Sequence, residues 1–268
     1  MSPRRHAPAA KRRPSALERR FLSLVGACAE RLGLEIPMRS LGRLRVVATP
    51  TPPSLRQLLA WGLDLPSARF CRRQAQHGDS SFWPQAGLVL LAREQRVHLA
   101  EEAAHVLRHA LTPLCVPSAP VDAFYMRSVE EGLAFFASKL LCPRRQAPNW
   151  RALGDHPGGA RVLRAARGHV QQEVGLGRAA GLFPAEPAVA DAVCHLLGYR
   201  LGDALYRAHA AGLCDERKLR ALFLRTTGGA GEACLLYWQM TGALRDFLSP
   251  APPRYHLPPI PRQERASA

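Results

Sequence analysis

The sequence predicts an α+β fold that is mostly helical, with a small sheet early in the chain. Two observations carry this. Apolar residues recur at helical spacing over most of the chain, while RLRVVAT (44–50) and GLVLLA (87–92) read as strands in its first third. Gly33, Pro113 and Pro143 then stand where three of the helical patterns stop. At 268 residues and 47% apolar, the chain is long enough for one large domain or two small ones.

Taken in order, residues 1–14 hold five cations and no apolar pattern, so a disordered basic arm is expected there. Ser15-Ala-Leu-Glu18 is a capping box behind Pro14. Leu17, Phe21, Leu24, Val25, Cys28 and Leu32 then share one helical face up to Gly33. The stretch RRFLSLVGACAE also has the basic start of an export signal, but its apolar run is only about nine residues. An amphipathic helix explains more of its letters. Ser54 caps a short helix after the first strand, and the second strand leads into a helix over 95–112, stopped by Pro113. A second long helix follows over 121–142. Residues 144–158 are polar and rich in Gly and Pro, a subdomain joint. Helices are expected beyond it at 159–174, 186–211, 215–226 and 230–248. The six prolines of 249–268 mark a loose tail. The chain thus divides into the arm (1–14), an α+β part (15–143), a helical part packed on it (144–248) and the tail (249–268).

The net charge of +16 draws the protein toward polyanions without specificity, chiefly through residues 1–14. Only Lys11, Lys139 and Lys218 of the 37 basic residues are lysines, which points to GC-rich coding as much as to selection for charge. No apolar run approaches about 18 residues, so no membrane span is expected. Seven scattered cysteines, none in a CxxC pair, favour a reducing, cytoplasmic setting over a disulfide framework.

The chemistry-bearing stretch is VHLAEEAAHVLRH (97–109). Ala100, Ala103, Ala104, Leu107 and Leu111 group on one side of its helix; His98, Glu101, Glu102, His105, Arg108 and His109 form an opposite stripe. Such a stripe is ordinarily a wet face. Here an apolar strand lies just upstream, and Glu131 follows 26 residues after His105 in SVEEGLAFFASKLL, where a second helix can bring it back beside the first.

These residues resemble the gluzincin metallopeptidases, built on a strand, an HExxH helix and a later helix with a third ligand Glu. EEGLAFF is similar to the NEGFA segment of the aminopeptidase branch. FASKLLCP with QRVHLAEEAAHVLRH is similar to the ImmA/IrrE-type peptidases, and LLGYRLGDALYRAH (196–209) resembles a helix packing behind the site in several gluzincin families. The resemblance covers about residues 85–142, and more loosely 186–226. It implies a small sheet packed on a zincin-like active-site helix and activity on protein or peptide substrates. Glu102 would be the general base, and His105 and Glu131 metal ligands, with Glu130 competing for the last role. Tyr199 is the candidate oxyanion donor; the bland alternative is a core tyrosine.

Position 101 departs from the family, with Glu101 where the first His belongs. A Glu101/His105/Glu131 set would neutralise a divalent ion, weaken its pull on water, and select zinc less strongly, so Mn or Fe would compete. Crowded carboxylates need a cation: a metal, an arginine such as Arg127 or Arg108, or a retained proton. Three readings follow: a metallopeptidase with a modified site; an inactive, metal-free descendant serving binding or regulation; and a basic helical protein associated with nucleic acid. His98-Leu-Ala-Glu101-Glu102 only approximates an inverted HxxEH motif. Glu102-x-x-His105 is half of a di-iron signature without its second half. RTTGGAGEA lacks the Lys-Ser/Thr ending of a P-loop.

Overall fold

The computed structural model describes residues 14–36, 41, 44–49, 51–76, 80–91, 96–112, 120–144, 159–175, 184–212 and 214–224. The arm, most of the 144–158 joint, the 230–248 helix and the tail lie outside these residues. The fold is α+β and mostly helical. Its elements run α1 (Ala16–Arg31), β1 (Arg45–Ala48), α2 (Leu55–Ala60), α3 (Leu65–Gln76), β2 (Ser81–Trp83), β3 (Leu88–Leu91), α4 (Arg96–Leu111), α5 (Pro120–Leu141), α6 (Gly159–Gly175), α7 (Pro187–Ala210) and α8 (Glu216–Leu224). Helix α3 and strand β2 are additions to the sequence reading; each carries too few apolar residues to announce itself.

The capping box forms: Ser15 Oγ accepts from Glu18 N at 3.1 Å, and Glu18 Oε2 accepts from Ser15 N at 2.6 Å. Glu18 is buried, and its other carboxylate oxygen accepts from Val46 N at 3.4 Å, so the same cap fastens α1 to β1. The sheet order is β1-β3-β2, with β1 parallel and β2 antiparallel to the central β3. Gly87, at φ +56°, makes the left-handed step between the turn at Pro84–Ala86 and β3, where a side chain would be strained.

All four residues of β3 are buried, because the strand has helices on both faces. Val89 and Leu91 enter the main core with Phe21 and Val25 of α1, Leu99 and Leu107 of α4, Phe136 of α5 and Phe223 of α8. Leu88 and Leu90 point the other way, onto Leu58, Ala68 and Cys71 of α2 and α3. A third cluster joins α6 to α7 through Val162, Ala166, Val193 and Leu197.

Helix α5 has its most extensive packing against α7, and glycines set how close the two come. An added Cβ at Gly132 would stand 2.7 Å from Leu201 Cδ2; one at Gly202 would strike the Gly132 carbonyl and stand 2.9 Å from Phe135 Cβ. One at Gly198 would strike Glu131 Cβ and stand 2.9 Å from the Ser128 carbonyl oxygen. Further along, Lys139 pairs with Asp203 and lies over the Tyr206 ring, 4.8 Å from its centre. Among the described residues no helix is long and apolar enough to cross a membrane.

Candidate functional site

Helix α4 packs against α1, α5 and the sheet, so its polar stripe is not a wet face. Glu101 and Glu102 are each 7% exposed and Arg108 4%, while His98, His105 and His109 are half-buried. The stripe is turned inward because α5 brings matching polar groups to meet it.

Two adjacent glutamates on α5 divide between two partners. Glu130 faces Arg108: its Oε1 is 3.1 Å from Nη2 of the guanidinium, whose Nη1 donates to the Phe223 carbonyl at 2.7 Å. That arginine therefore ties α4 to α5 and caps the carbonyl end of α8. Burial pushes the Glu130 carboxyl up, against the opposing pull of Arg108. Glu131 turns the other way, and its Oε2 stands 3.5 Å from His105 Nε2. The two helices thus bring together the pair singled out as ligands, and Glu131, not Glu130, faces the imidazole.

Helix α7 adds what the sequence reading does not contain. His195 Nε2 stands 3.7 Å from Glu131 Oε1, on the opposite side of that carboxylate from His105. Its Nδ1 lies 2.9 Å from the Asp191 main-chain oxygen, one turn earlier. Asp191 in turn holds Arg127 Nη1 at 2.6 Å, and Arg127 Nε is 3.9 Å from Glu131 Oε1. The letters DAVCHLLG carry the Asp-x-x-x-His spacing, but an isolated pair of this kind on a helix is ordinarily structural; the stronger clue is Gly198 and Gly202, four apart, which allow close approach. Tyr199 packs edge-on to His195, ring centres 6.1 Å apart, and against Phe135 at 5.3 Å.

The electrostatics follow from this crowding. Burial alone would lower the His105 pKa, but Glu131, then Glu102 and Glu101, raise it to about 9. Burial would raise that of Glu131, yet His195, His105 and Arg127 bring it to about 2. His195 is desolvated too, and is raised by Glu131 and Asp191. Four carboxylates, on Glu101, Glu102, Glu131 and Asp191, face one guanidinium and two imidazoles. With neutral imidazoles the cluster is strongly anionic. Such a donor set suits a divalent cation in its chemistry, although no group of three or more His, Cys, Asp or Glu among the described residues is already arranged as a metal site. The side chains of His105 and His195 keep 20% and 19% of their surface exposed, so water reaches them.

His109 belongs elsewhere. Its ring meets Phe82 of β2 edge-on at 5.6 Å and lines a cavity of about 400 Å³ with Leu41, Pro84, Ala86 and Val106; burial lowers its pKa.

The ion pair has a pH signature. His105 titrates near 9 in the folded protein against 6.5 unfolded, so its stabilisation is complete below 6.5 and lost as pH rises through 9. Glu131 titrates near 2 against 4.5, so its contribution is complete above 4.5 and lost as pH falls through 2. In chelator, the Tm difference between wild type and His105→Ala is therefore expected to peak between about pH 4.5 and 6.5 and shrink on both sides. A difference that stays flat across that range contradicts the pairing.

No family model matches the chain, and neither a curated protein nor a solved structure matches it.

Proposed function

We propose that the protein is a gluzincin-like metallopeptidase domain with a modified metal site, acting on protein or peptide substrates. One observation carries this reading: His105 of the ExxH turn meets Glu131, 26 residues later on the next helix, at 3.5 Å across a partly open site. The setting supports it, since α4 follows directly on the sheet, and β2, an edge strand among the described residues, flanks the cavity at Val106. An extended peptide can add to such an edge through its main chain.

His105 and Glu131 would hold the ion, with Glu101 in place of the missing first His. Bound there, a transition metal of the zinc class supplies Lewis acidity toward a carbonyl oxygen and toward water. Glu102, one helical turn before His105, takes the proton of the attacking water on its carboxylate and returns it to the leaving amine. Tyr199, one turn beyond His195, is the donor assigned to the developing oxyanion.

The test is metal analysis of the full chain after supply of micromolar Zn, Mn or Fe, together with hydrolysis of a peptide library. One equivalent of bound metal is expected, and Glu102→Gln should retain it while losing hydrolysis by about 10²–10⁴-fold. A chain that takes up no metal contradicts the reading.

One observation favours the second reading, a metal-free binding or regulatory module. Arg127 and two imidazoles already supply positive charge to Glu131. In that case the site holds three helices together and hydrolyses nothing. The polyanion-binding reading rests on charge alone, much of it in the arm.

A further inference from the structure

We propose that His195 supplies the imidazole that the motif lacks at position 101, so that His105, Glu131 and His195 form the ligand set for a transition-metal ion of the zinc class. This rests on the metal-site reading above and changes its ligands: Glu101 leaves the set.

Four features support the exchange. First, both Nε2 atoms converge on one carboxylate, His105 on Oε2 at 3.5 Å and His195 on Oε1 at 3.7 Å. These separations exceed the roughly 2.9 Å of a well-formed N–H···O hydrogen bond. They are close to the roughly 3.4 Å that separates two donors each about 2.1 Å from a tetrahedral ion.

Second, the His195 ring is already oriented. Its Nδ1 lies 2.9 Å from the Asp191 carbonyl oxygen, which can only accept; the proton therefore belongs on Nδ1, and the Nε2 lone pair is directed at Glu131. A main-chain carbonyl or carboxylate behind the second ring nitrogen is how ligating histidines are usually held. His105 needs no such support to reach the same carboxylate, because it comes from the facing helix.

Third, charge favours the exchange. Two neutral imidazoles and one carboxylate leave a divalent ion with net +1, the balance that lets it acidify water; Glu101 in place of His195 would cancel that charge. Glu101 also contributes least of the three glutamates acting on His105. Fourth, α7 is pinned against α5 at this level by Gly198, three residues after His195, whose Cα lies against the Glu131 side chain. The third donor is thus delivered by a helix crossing rather than by the motif helix, which is why the EExxH letters look degenerate.

The experiment is a Co(II) titration of the full-length protein, read by the visible d–d absorption and by calorimetry, with folding checked by circular dichroism. Wild type is expected to take up one equivalent. His195→Gln and His195→Ala should each lose at least about 100-fold in affinity, whereas Glu101→Ala should change it less than threefold. The double variant Glu101→His/His195→Ala restores an HExxH motif and should recover most of the binding, which guards against loss through misfolding. If His195→Gln binds as wild type while Glu101→Ala does not, this assignment is overturned and the Glu101 site stands. If wild type takes up no Co(II), the metal-site reading fails and this assignment with it.

Discussion

Glu131→Gln is expected to cost the protein about 3 kcal/mol, since removing one partner of a buried charge cluster strands the others. For a domain of this size that lowers Tm by on the order of 10 °C. The amide keeps the shape of the side chain but holds neither His105 nor His195 in its charged form, and Arg127 retains only Asp191. The His105 titration, followed through its ring protons by NMR, should therefore move down from about 9 toward 6.5. Co(II) affinity should fall at least about 100-fold in the same variant. Glu130→Gln is the informative comparison. It breaks the pair with Arg108, 3.1 Å away and equally buried, so stability should suffer on a similar scale. It leaves the His105 titration near its wild-type value, because Glu130 turns to the arginine. Identical histidine titrations in wild type and Glu131→Gln would mean that the two helices do not present these side chains to each other.

The contrast between the two glutamates also marks how far the letters reach. His105 and Glu131 are legible because ExxH on an Ala-rich helix, followed at 26 residues by an acidic pair on a second helix, limits where the groups can meet. The choice between Glu130 and Glu131 is not legible: adjacent residues on a helix are separated by about 100°, and which one faces α4 depends on how α5 is rotated by α7. The strand at 88–91 reads as buried from its unbroken apolar run, and the capping box at Ser15 fixes the start of α1 without any tertiary help. Strand β2 is three residues long and exists by pairing with β3, so its information is non-local. Helix α3 presents only Ala68 and Cys71 as fully buried among its arginines, too sparse a stripe to read. His195 is the largest gap. A single histidine within an Ala- and Leu-rich helix has no motif around it, and its meaning comes from the crossing of α5 and α7.

That crossing yields the second large effect. Gly198→Ala adds one methyl group where no space exists: the new Cβ would strike Glu131 Cβ and stand 2.9 Å from the Ser128 carbonyl oxygen and 3.0 Å from Gly132 N. Two of these neighbours are main-chain atoms of α5, which cannot swing aside as a flexible side-chain end does. Helix α7 must move away from α5, and overpacking of this kind costs about 1–3 kcal/mol, here at the upper end. The displacement falls at Glu131 itself, three residues from His195, so the loss should appear in Co(II) affinity as well as in Tm. Gly26→Ala and Gly168→Ala are the matched controls, helical positions where an added Cβ meets nothing within 4 Å. Both should be neutral or stabilising by up to about 1 kcal/mol, through helix propensity alone. The sign thus reverses between chemically identical substitutions, and only contact with a neighbouring helix accounts for the reversal. A Gly198→Ala protein that melts like the two controls would separate α7 from Glu131, leaving His195 with no carboxylate to share.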